Sequence, residues 1–203
     1  MAALEDAVAA LQAGGVVVLP TDTVYGLAAR ADDATATAGL FALKGRSEGV
    51  PVAVLCADAA QALTWADQGG TAAVRAGAAQ WWPGALTLVV PRRAGLDLAL
   101  GTPAHTIGLR VPDNAFVQAL AARVGPLATT SANRHGQPTP ATAQEAGEAL
   151  GPGVALVVDG PRLNAPPSTV VDTTTWPWTV LRAGAVDAES VLQLAAATGG
   201  SYR

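Results

Sequence analysis

Lys44 is the only lysine among twelve basic residues, and Arg46 follows it by two positions. Five other polar groupings stand at the ends of apolar segments, where α/β proteins bind ligands. Pro20-Thr21-Asp22-Thr23-Val24-Tyr25-Gly26-Leu27 follows the first apolar run, and Thr106-Ile107-Gly108-Leu109-Arg110 leads into Val111-Pro112. Thr129-Thr130-Ser131-Ala132-Asn133 closes another run, and Ser168-Thr169-Val170-Val171-Asp172 precedes Leu181-Arg182-Ala183-Gly184. Taken singly, each has an ordinary structural explanation. An Asp in a turn bonds its own backbone, Lys44 and Arg46 complement a helix C-terminus that Gly45 caps, and an arginine ending a strand forms a surface ion pair. Together, Lys44, Arg46, Arg110 and Arg182 supply four cations, with Thr23, Ser131, Asn133 and Ser168 as short hydrogen-bonding partners. Cations mixed with hydroxyls and amides suit a triphosphate and a small carboxylate. They do not suit acid–base hydrolysis.

Other chemistries are excluded by what is missing. There is no G-x-x-x-x-G-K-[ST] phosphate loop, no H-E-x-x-H and no G-x-S-x-G. Gly151-Pro152-Gly153 precedes a strand pattern, so it is not a dinucleotide turn. Two histidines and one cysteine, Cys56, rule out a histidine-rich or cysteine-based metal site and an internal disulfide. The 203 residues carry a net charge of −4, against a nucleic-acid binder held by bulk electrostatics. Half the residues are hydrophobic but only 4% aromatic, so the apolar content is mostly Ala, Val and Leu. No run reaches the roughly 20 apolar residues of a membrane helix, and the acidic start is not a signal peptide. A cytoplasmic protein is the expectation.

The elements that must carry these residues alternate. Spacing of Leu4, Val8 and Leu11 predicts a helix over 2–13, stopped by Gly14-Gly15. Further helices are predicted at 33–43, 58–66, 71–80, 113–123, 141–150 and 187–197. Strands are predicted at 16–19, 52–56, 85–90, 106–111, 127–130, 154–158, 168–172 and 178–182. This pattern predicts one α/β domain over 1–203, and no further domain at its C-terminus is expected. The connections from 85–90 to 106–111 and from 154–158 through 178–182 carry no helix, which allows antiparallel pairing and a mixed parallel/antiparallel twisted sheet. Loops 91–104 and 159–167 read as connectors within the domain.

Seven strings, PTDTVYGL, ALKGR, WPGALT, TIGLRVP, TSAN, STVVD and LRAG, stand in order between Gly14 and about Gly184. In these the chain resembles the YrdC-like family of threonylcarbamoyl-AMP synthases. The resemblance implies a twisted α/β sheet flanked by helices around a basic cavity. It implies synthesis of L-threonylcarbamoyladenylate from L-threonine, bicarbonate (or CO2) and ATP with release of pyrophosphate, the first step of tRNA threonylcarbamoyladenosine modification. By the same resemblance, Lys44 and Arg46 take the ATP phosphates and act as the catalytic cations. Thr106, Ser131, Asn133, Thr139 and Arg182 complete the ATP side. Thr23, Arg110, Thr129 and Ser168 hold threonine, with Arg110 on its carboxylate. Mg²⁺ would accompany ATP, bound mainly by phosphate oxygens with no protein metal ligands assigned. Val50 and Leu55 replace an asparagine and a histidine that some relatives carry. Transient contact with a tRNA threonylcarbamoyl transferase complex is implied, with direct tRNA binding left open and no membrane involved. Two alternatives stay open: a double-stranded RNA or tRNA-binding module, and carbamoyl-adenylate chemistry as in hydrogenase maturation.

Overall fold

The structure, a computed structural model, describes residues 2–45 and 49–199. In chain order these form α1 (Ala2–Gln12), β1 (Val17–Pro20), β2 (Tyr25–Arg30), α2 (Ala34–Lys44), β3 (Ala53–Leu55), α3 (Ala59–Leu63) and α4 (Ala72–Trp81). There follow β4 (Leu86–Pro91), β5 (Thr106–Arg110), α5 (Ala115–Val124), β6 (Leu127–Ser131), α6 (Ala143–Leu150), β7 (Leu156–Val157), β8 (Thr169–Asp172), β9 (Thr179–Arg182) and α7 (Ala188–Ala197). The helices start where short polar side chains accept from their first turn. Asp33 accepts from Ala36 N–H, Thr71 from Val74, Asn114 from Val117 and Asp187 from Ser190. The helix expected from Asp113 therefore starts two residues later, at Ala115, with Asn114 as its cap. Gly45 ends α2 at φ 62° with its N–H on Ala42 O, the left-handed cap a Cβ would strain.

The strands make one mixed sheet in the order β7-β1-β2-β6-β3-β5-β4-β8-β9. As expected, β4 and β5 are antiparallel, and so are β8 and β9. Two expectations need correction. Residues 25–27 were read as part of a polar turn, but they open β2, which pairs antiparallel with both β1 and β6. The turn is Thr21–Val24, closed by the Thr21 hydroxyl, which donates to Val24 O and accepts from the N–H groups of Thr23 and Val24. The small residues of YGLAAR hide the strand pattern; Gly26 is needed because a Cβ there would stand 2.9 Å from the Thr129 methyl across the ladder. Second, β7 does not neighbour β8. It runs parallel to β1 at the opposite edge.

Side chains alternate across the sheet, so two cores form. Val16, Val18, Leu27, Leu86, Leu88 and Leu109 pack with Leu40, Phe41, Val74, Leu150 and Val191 on one face. On the other, Val17, Leu19, Ala28 and Leu127 pack with Ala7, Val8 and Leu11 of α1 and Val117, Leu120 and Val124 of α5. Elsewhere on that second face, the floor of β4, β5, β6 and β8 opens into a cavity. No helix among the described residues is long and apolar enough to cross a membrane.

Cys56, just after β3, is fully buried. Burial pushes its thiol up to about 12, from an ordinary value of 9.0. The folded state thus keeps the proton that the unfolded chain gives up, and this stabilisation is complete below about pH 9 and lost as pH climbs toward 12. The native protein should resist a thiol-specific disulfide reagent at pH 8 and react fully once unfolded in denaturant; rapid native labelling would show the site to be open.

Candidate active site

The cavity encloses about 350 Å³. Its floor is built from alternate residues of neighbouring strands: Thr87 and Val89 of β4, Thr106, Gly108 and Arg110 of β5, Thr129 and Ser131 of β6, and Val170 of β8. Leu88, Leu109 and Val171, which alternate with them, face the apolar core. Thr21, Thr23 and Val24 overhang from the β1–β2 turn, and Thr139, Ser168 and Arg182 complete the polar wall. Thr23, Thr106, Arg110, Thr129, Ser131, Thr139, Ser168 and Arg182 are thus brought to one hollow, although up to 159 residues separate them in sequence (182 − 23). Leu55 lines it as well, while Val50 is exposed. Arg46 lies outside the described residues.

Arg110 is 5% exposed. A guanidinium so buried must be paired and hydrogen-bonded. Its Nε–H donates to Gly84 O at 2.9 Å, Nη1 to Thr23 Oγ1 at 3.2 Å and Nη2 to Asp22 Oδ1 at 2.5 Å. Five N–H groups minus these three leaves two for a ligand. Asp22 carries the charge balance from a turn 88 residues away, and its side chain is nearly as buried as the guanidinium it meets. Sequence reasoning saw Asp22 only as a turn former, because nothing local marks a partner so distant.

Arg182 stands at the rim. Its Nε–H donates to Ser168 O at 2.9 Å and Nη2 to Ser168 Oγ at 2.8 Å. Partial burial, and then the charge of Arg110, lower its pKa. The two cations therefore sense one another across the hollow and favour an anion between them.

Lys44 and Asn133 stand one layer behind. Lys44, 3% exposed at the end of α2, donates to Ser131 O at 2.6 Å, Ser131 Oγ at 3.1 Å and Asn133 Oδ1 at 2.7 Å. It reaches the cavity through Ser131, which lines it. Asn133 also accepts from Ser131 Oγ at 2.6 Å and donates to Arg134 O and Gln137 O. Asn133 therefore acts first as a strut that shapes the loop after β6. Thr87 closes the string WPGALT but was given no role from the sequence, although its polar place in the alternation Leu86-Thr87-Leu88 was a usable signal.

Removing Asp22 would leave a buried guanidinium without its carboxylate. Asp22→Ala should cost about 3–5 kcal/mol in urea unfolding, and Asp22→Asn, which keeps an acceptor, clearly less. Equal and small losses in both would show that the pair is not what holds Arg110.

Comparison with known proteins now bears on this geometry. A family model described as telomere recombination, Sua5/YciO/YrdC, matches residues 9–184. A Mycobacterium tuberculosis protein provisionally named threonylcarbamoyl-AMP synthase is 40% identical over 192 residues, covering 93% of this chain and 87% of that protein. The human threonylcarbamoyl-AMP synthase is 41% identical over 160 residues, 78% of this chain and 56% of the human one. The crystal structure of Pyrococcus abyssi Sua5 complexed with L-threonine superimposes with a TM-score of 0.88 at 30% identity, over 94% of this chain and 56% of that one. With its mixed sheet, its cationic hollow and these matches over nearly its whole length, the chain belongs to the Sua5/YciO/YrdC family.

Proposed function

We propose that the protein is an L-threonylcarbamoyladenylate synthase, a nucleotidyltransferase that joins L-threonine, bicarbonate (or CO2) and ATP with release of pyrophosphate. The observation that carries this reading is the pairing of Arg110 and Arg182 in a hollow whose other polar lining is hydroxyl. Such a lining takes two anionic reactants and offers no carboxylate among the described residues to repel them. The buried Arg110 is out of reach of duplex RNA phosphates, so a recess for small molecules is the better fit.

On this reading the free amine of threonine adds to bicarbonate with loss of water (or to CO2 with loss of a proton) to give a carbamate, whose carboxylate attacks the α-phosphorus of ATP. The new P–O bond forms as the bond to the pyrophosphate oxygen breaks. Both partners are anions, and the protein's task is to offset their repulsion and hold them in line. Arg110 offers its two remaining N–H groups to the threonine carboxylate, with Thr23 and Thr129 beside it. Arg182, Thr106, Thr139 and Ser131 meet the nucleotide. Lys44, with Arg46, supplies charge to the phosphates, and Lys44 fixes the loop that Ser131 presents. Recession of the carbamate below the rim limits its loss to water.

Among the described residues no three His, Cys, Asp or Glu side chains gather as metal ligands. Mg²⁺ would accompany the ATP substrate, with phosphate oxygens supplying most of its ligands. The product, a reactive mixed anhydride, would pass to a transferase that moves its threonylcarbamoyl group onto tRNA; its short life supports the reading of a cytoplasmic enzyme in transient contact with such a complex.

Mass spectrometry after incubation with ATP, L-threonine and bicarbonate should show threonylcarbamoyladenylate, and its absence would refute the reading. Lys44→Met keeps the apolar stem and removes the ammonium. It should lower threonine-dependent pyrophosphate release by about 100-fold or more, the scale of one lost transition-state donor. Near-normal turnover would remove Lys44 from the machinery.

A further inference from the structure

Thr87 is 3% exposed and lines the cavity floor, yet the roles assigned above do not use it. Its Oγ1 lies 3.0 Å from Ser168 Oγ, and Ser168 is 5% exposed. Ser168 Oγ also accepts from Arg182 Nη2 at 2.8 Å. These two contacts are the hydrogen bonds that the two hydroxyls make among the described residues.

Counting protons gives a definite result. Arginine donates and never accepts, so the chain has a fixed polarity at one end. The Arg182–Ser168 bond uses an arginine proton. The Ser168–Thr87 bond uses one hydroxyl proton of the two. One O–H is left over, nearly excluded from water, in a wall that faces the cavity. A buried donor without an acceptor is costly. A bond accepted from a cation also strengthens the O–H of Ser168 as a donor. The favoured order is therefore Arg182 to Ser168 to Thr87, with the spare proton on Thr87.

The sheet fixes where Thr87 stands. β4 and β5 pair Leu88 with Leu109 and Val89 with Gly108. The next position along sets Thr87 opposite Arg110 on the cavity face, within cross-strand reach. The methyl of Thr87 lies over Gly108, where a Cβ would stand 3.4 Å from it. This contact turns the methyl toward the floor.

We propose that Thr87 is a further substrate-binding residue. Its hydroxyl, charged through Ser168 by Arg182, donates to an oxygen of the amino-acid substrate held by Arg110. This rests on the proposed function.

The test is calorimetric binding of L-threonine to the wild type, Thr87→Val and Thr87→Ser, with thermal melts and steady-state pyrophosphate release alongside. Thr87→Val keeps the branched shape and removes the donor; Thr87→Ser keeps the donor and removes the methyl. Thr87→Val should bind threonine about tenfold more weakly, the scale of one hydrogen bond to a charged group, with KM for ATP unchanged. Thr87→Ser should stay within about threefold of wild type, even if its melting temperature falls further through lost packing. Native threonine affinity in a folded Thr87→Val protein overturns the inference and leaves the proposed function standing. Equal weakening in both variants also overturns it, by tracing the effect to packing. Wild-type protein that binds no threonine and forms no adenylate takes down both.

Discussion

A buried guanidinium must be saturated, and the site is arranged around that demand. Arg110 sits at the end of a central strand with almost no access to water. Its three protein partners come from three places: the Gly84 carbonyl beyond α4, the Thr23 hydroxyl and the Asp22 carboxylate. The last two require the β1–β2 turn to lean across β6 and β3, which lie between β2 and β5 in the sheet. The turn holds that shape through the Thr21 hydroxyl, which both closes it and meets Thr23 Oγ1 at 3.1 Å. Turn chemistry, strand neighbours and the roof of the cavity thus meet at one cation kept out of solvent.

The hollow itself follows from how the helices are shared out. α1 and α5 pack against each other over the part of the second face that carries β1, β2 and β6. The floor of β4, β5 and β8 is left for substrate, and its alternate residues become Thr, Gly, Arg and Val in place of Leu. The same strands keep Leu86, Leu88 and Leu109 on the face covered by α4 and α7. One strand therefore serves packing and chemistry by the period of two that pleating imposes.

Most of this was legible in the sequence because the signals are local. Helical spacing and Gly14 stopped α1, Asp33 and Gly45 bracketed α2, and the helix-free connections announced antiparallel pairs. The polar strand ends pointed to Thr23, Arg110, Ser131, Ser168 and Arg182, and eight of the eleven residues assigned by resemblance meet at one cavity. What was not legible depends on partners distant in the chain. YGLAAR lacks strand propensity and becomes β2 because two neighbours offer their edges. β7 is two residues long and is fixed by β1, not by anything adjacent. Asp22 acquires its meaning only from an arginine 88 residues on. Lys44 read as a phosphate ligand at a helix end; the fold adds that it braces the loop carrying Ser131 and Asn133.

That solitary amine gives the protein a built-in reporter. A protease specific for lysine has one scissile bond in the entire polypeptide, after Lys44. The side chain it must seize is 3% exposed and engaged by the loop at 131–133. Cleavage must await local opening of the last turn of α2. A single cut, timed on a gel, therefore measures how often this corner of the molecule breathes.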